Sequence, residues 1–500
     1  MMLKDSSKEV LVLVGPPLAA TYLMWLIRLN EMTVFEFLGA AALLGGAWGP
    51  YWRWKVVGER HLPIFPMISL MFWIYYALPL FWGDRWSIGT GRILSDESVE
   101  QAMMLAVAGV ACLLVGKWTG LGRRVVSQKV PDIEVNREST WAYIRTALLI
   151  SIPVTFGVQS RAYLFGIGAR QVLMILASTV PMALFALILR RLLSHKANHG
   201  EILLTGIFLL CRLAAGIASG WLGVSVGILI ICSVVYFYER RRIPTSAIIG
   251  VCLFVLFFQV GKESFRKTFW SDRVDASLGE RISFWSSESL RTWEMTLSSP
   301  DKENWRRLAD RSLNRMSLLQ QTAHVLEVTP GDVPYQHGRL YSYMLVTLIP
   351  RALWPDKPSV NDANRFYQVA YGLTRADDLG GVSIAVGTLA ESFINFGWWG
   401  PVLIMIPLGM FFDFFQNAFL ARNSGWALNA IGIALVPSFL TVESQLAQYL
   451  GGIVQCIAVA LLVFWPVLRV RLRSETRLVQ AASEHGGGLQ MLSAAPKRFL

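Results

Sequence analysis

Apolar runs of 16 to 22 residues recur along the chain, separated by short polar connections. A bilayer core about 30 Å thick is crossed by about 20 apolar residues in a helix, so each run predicts one membrane-spanning helix. The runs fall at about 10–27, 33–49, 62–82, 101–116, 141–158, 172–189, 202–219, 221–238, 244–260, 398–419, 426–442 and 452–468. The expected fold is therefore all-α: a polytopic membrane protein of about 12 transmembrane helices. The first run lasts about 18 residues with no small-residue cleavage site, which predicts a retained helix rather than a removed signal.

Charge follows the same rhythm. With the N-terminus inside, alternate connections gather Lys and Arg as the positive-inside rule requires: 23 on the inner side, tails included, against 5 in the short outer loops. Both termini are expected in the cytoplasm and the long segment 261–385 outside. The domains read as 1–260 (spans one to nine), 261–385 (a large periplasmic loop with amphipathic and re-entrant helices), 386–468 (spans ten to twelve) and 469–500 (a basic tail).

Composition supports this division. The chain is 54% hydrophobic and 16% charged, where a soluble domain carries about a quarter charged residues. The net charge of +12 is assigned to orientation and to anionic lipid, and nucleic acid is set aside as a partner. All five cysteines lie in apolar runs, with neither a disulfide framework nor metal spacing.

Candidate chemistry concentrates in the outer segment. In "ENWRRLADRSLNRMSLLQQTAHVLEV", Trp305, Leu308, Met316, Leu319 and Leu326 mark one face of a helix. Arg307, Arg311 and Arg315 stand on another face, as a solvated ridge or as a cationic surface toward phosphates. Next, "LYSYMLVTLIPRALW" is too short to span and reads as interfacial or re-entrant. It sets Arg351 and Lys357 near the membrane surface, where they either snorkel or hold an anionic head group. Arg365, in the same polar stretch, is a further candidate phosphate contact.

Then "DDLGGVSIAVGTLAESFINFGWWGP" predicts a short helix ended by Gly397, with Glu391 among apolar neighbours. Desolvation there makes Glu391 a better base; the alternative is a structural ion pair. Arg212, near the middle of its span, faces a cavity or pairs with Asp413. Arg161 and Arg170 flank a glycine-containing turn outside. His324 and His337 are the two outer histidines able to act as bases near neutral pH. No phosphate-cradling GxxxxGK[ST] and no G-x-S-x-G is present.

"IPRALWPDKP" followed by "GVSIAVGTLAESFINFGWWGP" resembles the late region of the bacterial oligosaccharide repeat-unit (O-antigen, Wzy-type) polymerases. The matching positions are Pro350, Arg351, Trp354, Pro355, Lys357, Pro358, Glu391, Asn395, Phe396 and Gly397, with Ala390 in place of a glycine. The likeness covers residues 349 to 400. It implies a GT-C-like glycosyltransferase of the bacterial inner membrane. Such an enzyme moves a growing glycan from one polyprenyl diphosphate onto another lipid-linked repeat unit, with no cofactor and no metal, beside flippase and chain-length regulator proteins.

In that chemistry Arg351, helped by Lys357, Arg212, Arg161, Arg170 or Arg365, stabilises the leaving diphosphate. Glu391, or alternatively His337, takes the proton of the attacking hydroxyl. Three other readings compete: a ligase passing polymer to a lipid or protein acceptor, a lipid-linked oligosaccharide flippase, and a scaffold in which Glu391 and Arg351 are replaceable.

Overall fold

A computed structural model describes residues 6–472 except 59–60, 83–92, 162–166, 272–273, 300, 314–316, 348, 350–353, 355, 360, 377–383 and 385. The chain opens with α1 (Ser6–Leu26), α2 (Val34–Val57), α3 (Ile64–Tyr76), α4 (Leu78–Trp82), α5 (Asp96–Trp118) and the short α6 (Leu121–Arg124). Strand β1 (Lys129–Ile133) leads to α7 (Glu138–Arg161), α8 (Ile167–Ala177), α9 (Thr179–Leu193), α10 (His199–Ser219), α11 (Leu222–Arg240), α12 (Thr245–Gln259) and α13 (Lys262–Arg266). The middle segment holds α14 (Leu278–Ser298), α15 (Lys302–Leu313), α16 (Leu318–Val328), α17 (Ser342–Thr347) and α18 (Asp362–Ala370). The last part is α19 (Gly387–Phe396), α20 (Ile406–Phe419), α21 (Gly425–Phe439), α22 (Leu446–Gly451), α23 (Ile453–Phe464) and strand β2 (Leu468–Leu472).

Seven helical segments among the described residues are long and apolar enough to cross a membrane, or eight if the pair α12–α13, bent by 59°, counts as one. They are 64–82, 96–124, 172–193, 199–219, 222–240, 401–419 and 446–467. The protein is thus a mostly helical, multi-pass membrane protein. Every expected run coincides with helical backbone, but not every helix reaches spanning length or hydropathy. Described as an apolar helix, α1 covers only Val10–Leu26, and α21 has 15 residues. Glu36 and four glycines dilute α2. Large apolar side chains that face outward, such as Leu203 and Leu210 on α10 and Ile249 and Leu253 on α12, form the surface that lipid would cover.

Local chemistry sets the helix ends. Thr33 and Glu36 form a reciprocal capping box at the start of α2, and Asn198 and Glu201 do the same for α10. Glu201 is fully buried and also holds Arg145 of α7 at 2.9 Å and Arg191 of α9 at 3.1 Å, tying three helices together at one end of the bundle. The crossing of α5 and α20 uses paired glycines, Gly116 and Gly409. A Cβ on Gly409 of α20 would sit 2.1 Å from the Leu113 carbonyl of α5, so the two backbones touch where neither has a side chain.

Three expectations are corrected by the packing. The stretch 303–328 is two helices rather than one, because α16 buries residues on every side, among them Leu319, Thr322, Ala323 and Val325, between α3, α5 and α19. Arg212 does not pair with Asp413: Asp413 accepts the Arg123 N–H at 2.9 Å and caps α6 instead. Within the mostly helical fold, Leu468–Leu472, where the last expected span meets the expected 469–500 tail, forms a strand. β2 pairs antiparallel with β1 in the register Lys129↔Leu472 to Ile133↔Leu468. Asp132 anchors the pair by accepting the backbone N–H of Trp426, at the start of α21, at 2.6 Å.

Candidate functional site

Two glycines frame α19. Gly387 has φ +80 and Gly397 φ +57, and a Cβ at either would press on a neighbour at 3.0 Å, Leu318 for the first and Tyr335 for the second. The helix between them is buried along its whole length, from Gly387 through Asn395. Leu389 fills the space over Gly109 of α5, where a Cβ would lie 2.5 Å from Leu389 Cδ1. Glu391 is carried inward by this packing and is 0% exposed.

Its carboxylate has one partner. Oε2 accepts the Leu446 N–H, at the start of α22, at 2.7 Å, while Oε1 is buried with no hydrogen bond among the described residues. Burial pushes the carboxyl from its ordinary 4.5 up to about 8, and the Leu446 N–H offsets part of that rise. A group titrating there is divided between acid and conjugate base close to neutral pH, which suits proton transfer.

Asn395 and Phe396 tie the end of α19 to its surroundings. Asn395 Nδ2 donates to the Glu391 carbonyl at 2.9 Å, and its Oδ1 accepts the Gly338 N–H at 3.0 Å. The N–H groups of Gln336 and His337 donate to the carbonyls of Ile394 and Asn395. One asparagine thus staples the loop before α17 to the C-terminal turn of α19. Phe396 stacks on Tyr341 with centroids 6.0 Å apart. Beyond them a cavity of about 520 Å³ opens between the 338–344 segment, α20 and α22, lined by Tyr341, Met344, Phe396, Leu408, Phe411 and Leu450 among others.

The other expected residues fall as follows. Lys357 is buried, and its Nζ donates to the carbonyls of Ile349 at 2.6 Å and Val346 at 3.2 Å, fastening the loop after α17. Arg365 is exposed and bridges Asp362 at 3.1 Å, one turn away on α18. His337 has an exposed side chain and reaches the site through its backbone alone. Arg212 is buried in α10, with Nε unpartnered among the described residues and Nη1 3.5 Å from the Ala177 carbonyl, where the helix breaks between α8 and α9. Arg351 lies outside the described residues, as do the side chains of Arg161 and Arg170. Glu391 makes no ion pair with any described residue. His324 Nε2 donates to the Tyr371 carbonyl at 2.9 Å within the core.

Two polar groups at the site went unread in the sequence. Tyr341 sits inside an apolar run and Gln445 in a short loop, with no motif around either. Gln445, which precedes Leu446, is 0% exposed, and both polar atoms of its amide lack partners among the described residues. Among those residues no three His, Cys, Asp or Glu side chains converge as metal ligands.

Residues 98–431 match the family described as a domain of unknown function (DUF8712), and the chain belongs to that family. No curated protein and no solved structure matches the chain.

Proposed function

We propose that this member of the family is a glycosyltransferase that polymerises polyprenyl-diphosphate-linked oligosaccharide repeat units on the outer side of the bacterial inner membrane. The observation that carries the reading is a buried carboxyl with one unclaimed oxygen, held beside an apolar cavity by a short helix outside the spanning set. Glu391 takes the proton of the acceptor sugar hydroxyl as that oxygen attacks the anomeric carbon of the donor. The bond from that carbon to the diphosphate breaks, and the diphosphate leaves with the electron pair. Arg351 is the cation assigned to the leaving group.

The topology belongs to the same proposal: twelve crossings in a GT-C-like arrangement, both termini in the cytoplasm and the 261–385 segment outside. The strand pair supports it, because β1 follows the fourth expected span and β2 the twelfth, and their pairing needs an even number of crossings between them. Flippase and chain-length regulator proteins are the expected partners.

The deciding experiment is a comparison of surface glycan from cells with the gene intact, deleted, or carrying Glu391→Gln. Single repeat units on the final acceptor in the deletion and in Glu391→Gln, at normal membrane abundance, are expected. Polymer of normal length from Glu391→Gln defeats the proposal. Free lipid-linked polymer in the deletion means a ligase instead.

A further inference from the structure

The cavity beside Phe396 lies at one end of a membrane span. Its longest wall runs from Leu403 through Leu408 to Phe411, within the spanning segment 401–419. At 1.5 Å per residue, the stretch from Pro401 to Phe411 covers about 15 Å, half of a hydrocarbon core about 30 Å thick. The cavity therefore occupies the depth of one leaflet and stops near the bilayer midplane, whichever side of the membrane Pro401 faces. Trp398 and Trp399, immediately before the segment, are 45% and 71% exposed, as suits aromatic residues at the head-group level.

Size and lining narrow the occupant. Across from that wall stand Met344 of α17, Phe396 at the end of α19 and Leu446 at the start of α22. Leu403 is also 51% exposed and its neighbour Val402 41%, so the cavity is continuous with the surface that lipid covers. Apolar walls of this kind reward contact with hydrocarbon and offer water few of the two to four polar partners it needs. The volume of about 520 Å³ falls within the range of small-ligand sites, roughly 300–1,000 Å³. A partner helix about 10 Å across and as long as the cavity would need about twice that volume. A polyprenyl chain is longer than one leaflet is deep and would leave much of its length outside. An acyl chain of a phospholipid matches the depth, because such chains set the thickness of the leaflet.

We propose that the cavity seats one acyl chain of a bilayer phospholipid, lying along residues 401–411. The chain packs on Phe396, the last residue of α19, and on Leu446, whose N–H holds Glu391 Oε2 at 2.7 Å. It is a structural lipid that braces the contact between α19 and α22. The proposal does not depend on the polymerase reading, and normal glycan length from Glu391→Gln cells leaves it standing.

The test places the full chain in phosphatidylcholine nanodiscs with a rising fraction of phosphatidylcholine that carries a diazirine on one acyl chain, followed by mass spectrometry of the labelled peptides. Label on the peptides holding Met344, Leu408 or Leu446 should saturate. Label on the outward face of α10, at Leu203 and Leu210, should rise in proportion to the probe. Proportional labelling at both places overturns the proposal, and that comparison needs the wild type alone. Leu408→Trp, which fills the cavity, should lose the saturable label and keep the label on α10; an unchanged pattern overturns the proposal. Displacement of the saturable label by polyprenyl phosphate at a lower mole fraction than by unlabelled phosphatidylcholine overturns the assignment to an acyl chain. Returning phosphatidylcholine to lipid-depleted protein should raise the melting midpoint of wild type more than that of Leu408→Trp, and equal gains refute the bracing role.

Discussion

Replacing Glu391 with glutamine should make the protein less active and, above mildly acid pH, more stable. The carboxyl titrates near its ordinary 4.5 in an unfolded chain and at about 8 in the folded one. Between those values the folded state holds a proton that the unfolded state has lost, so unfolding releases it and rising pH favours unfolding. The stability is complete below about pH 4.5 and is lost as pH climbs through 8. One unit of difference corresponds to about 1.4 kcal/mol, so wild type should lose about 3 kcal/mol between pH 5.5 and 7.5. Glutamine keeps an oxygen for the Leu446 N–H, now 2.7 Å from Oε2, and cannot ionise. In a thermal melt of the purified protein the wild-type midpoint should fall by roughly 3–6 °C across that interval, while the Glu391→Gln midpoint stays level. Parallel curves for the two proteins would show that the carboxyl is not held neutral by burial.

Three further outcomes follow from the packing. Gly409→Ala places a methyl group 2.1 Å from a backbone oxygen of α5 and should cost about 1–3 kcal/mol, read as a lower melting midpoint, whereas Gly206→Ala, with open space around it, should not lower it. Asp132→Ala leaves the buried N–H groups of Ile133 and Trp426 without their acceptor; a loss of about 1–3 kcal/mol and faster proteolysis within 129–137 are expected, and unchanged cleavage would contradict the anchoring role. A reporter fused near residue 300 should be active only outside the cytoplasm, and activity of a cytoplasmic reporter there would reverse the proposed orientation.

The helices were legible because each apolar run is a local signal. The short helix ended by Gly397 was legible too, since a glycine after "SFINF" is a stop that a side chain at φ +57 would strain. What the sequence hid was tertiary. Whether α16 lies on a surface or in the core depends on α3, α5 and α19 around it, and its Gln320, Thr322 and His324 are as buried as its leucines. Lys357 looked like a free cation because the carbonyls of Val346 and Ile349 that occupy it belong to a neighbouring turn. Tyr341 carried no signal, for its place is set by stacking on Phe396, 55 residues further on. The pairing of β1 with β2 joins segments more than 300 residues apart, beyond the reach of any local pattern.

That pairing also sets a clock on biogenesis. β1 ends at Ile133 and its partner begins at Leu468, so the first strand leaves the ribosome long before the second exists. At about 5–20 residues per second, the interval is roughly 20–70 s. Throughout it, the edge of β1 stands open at the end of a half-inserted bundle. Residues Leu468–Leu472 therefore act as a completion signal: a molecule truncated before Leu468 keeps its apolar helices but displays an unpaired strand, the kind of exposed edge that pairs with other chains.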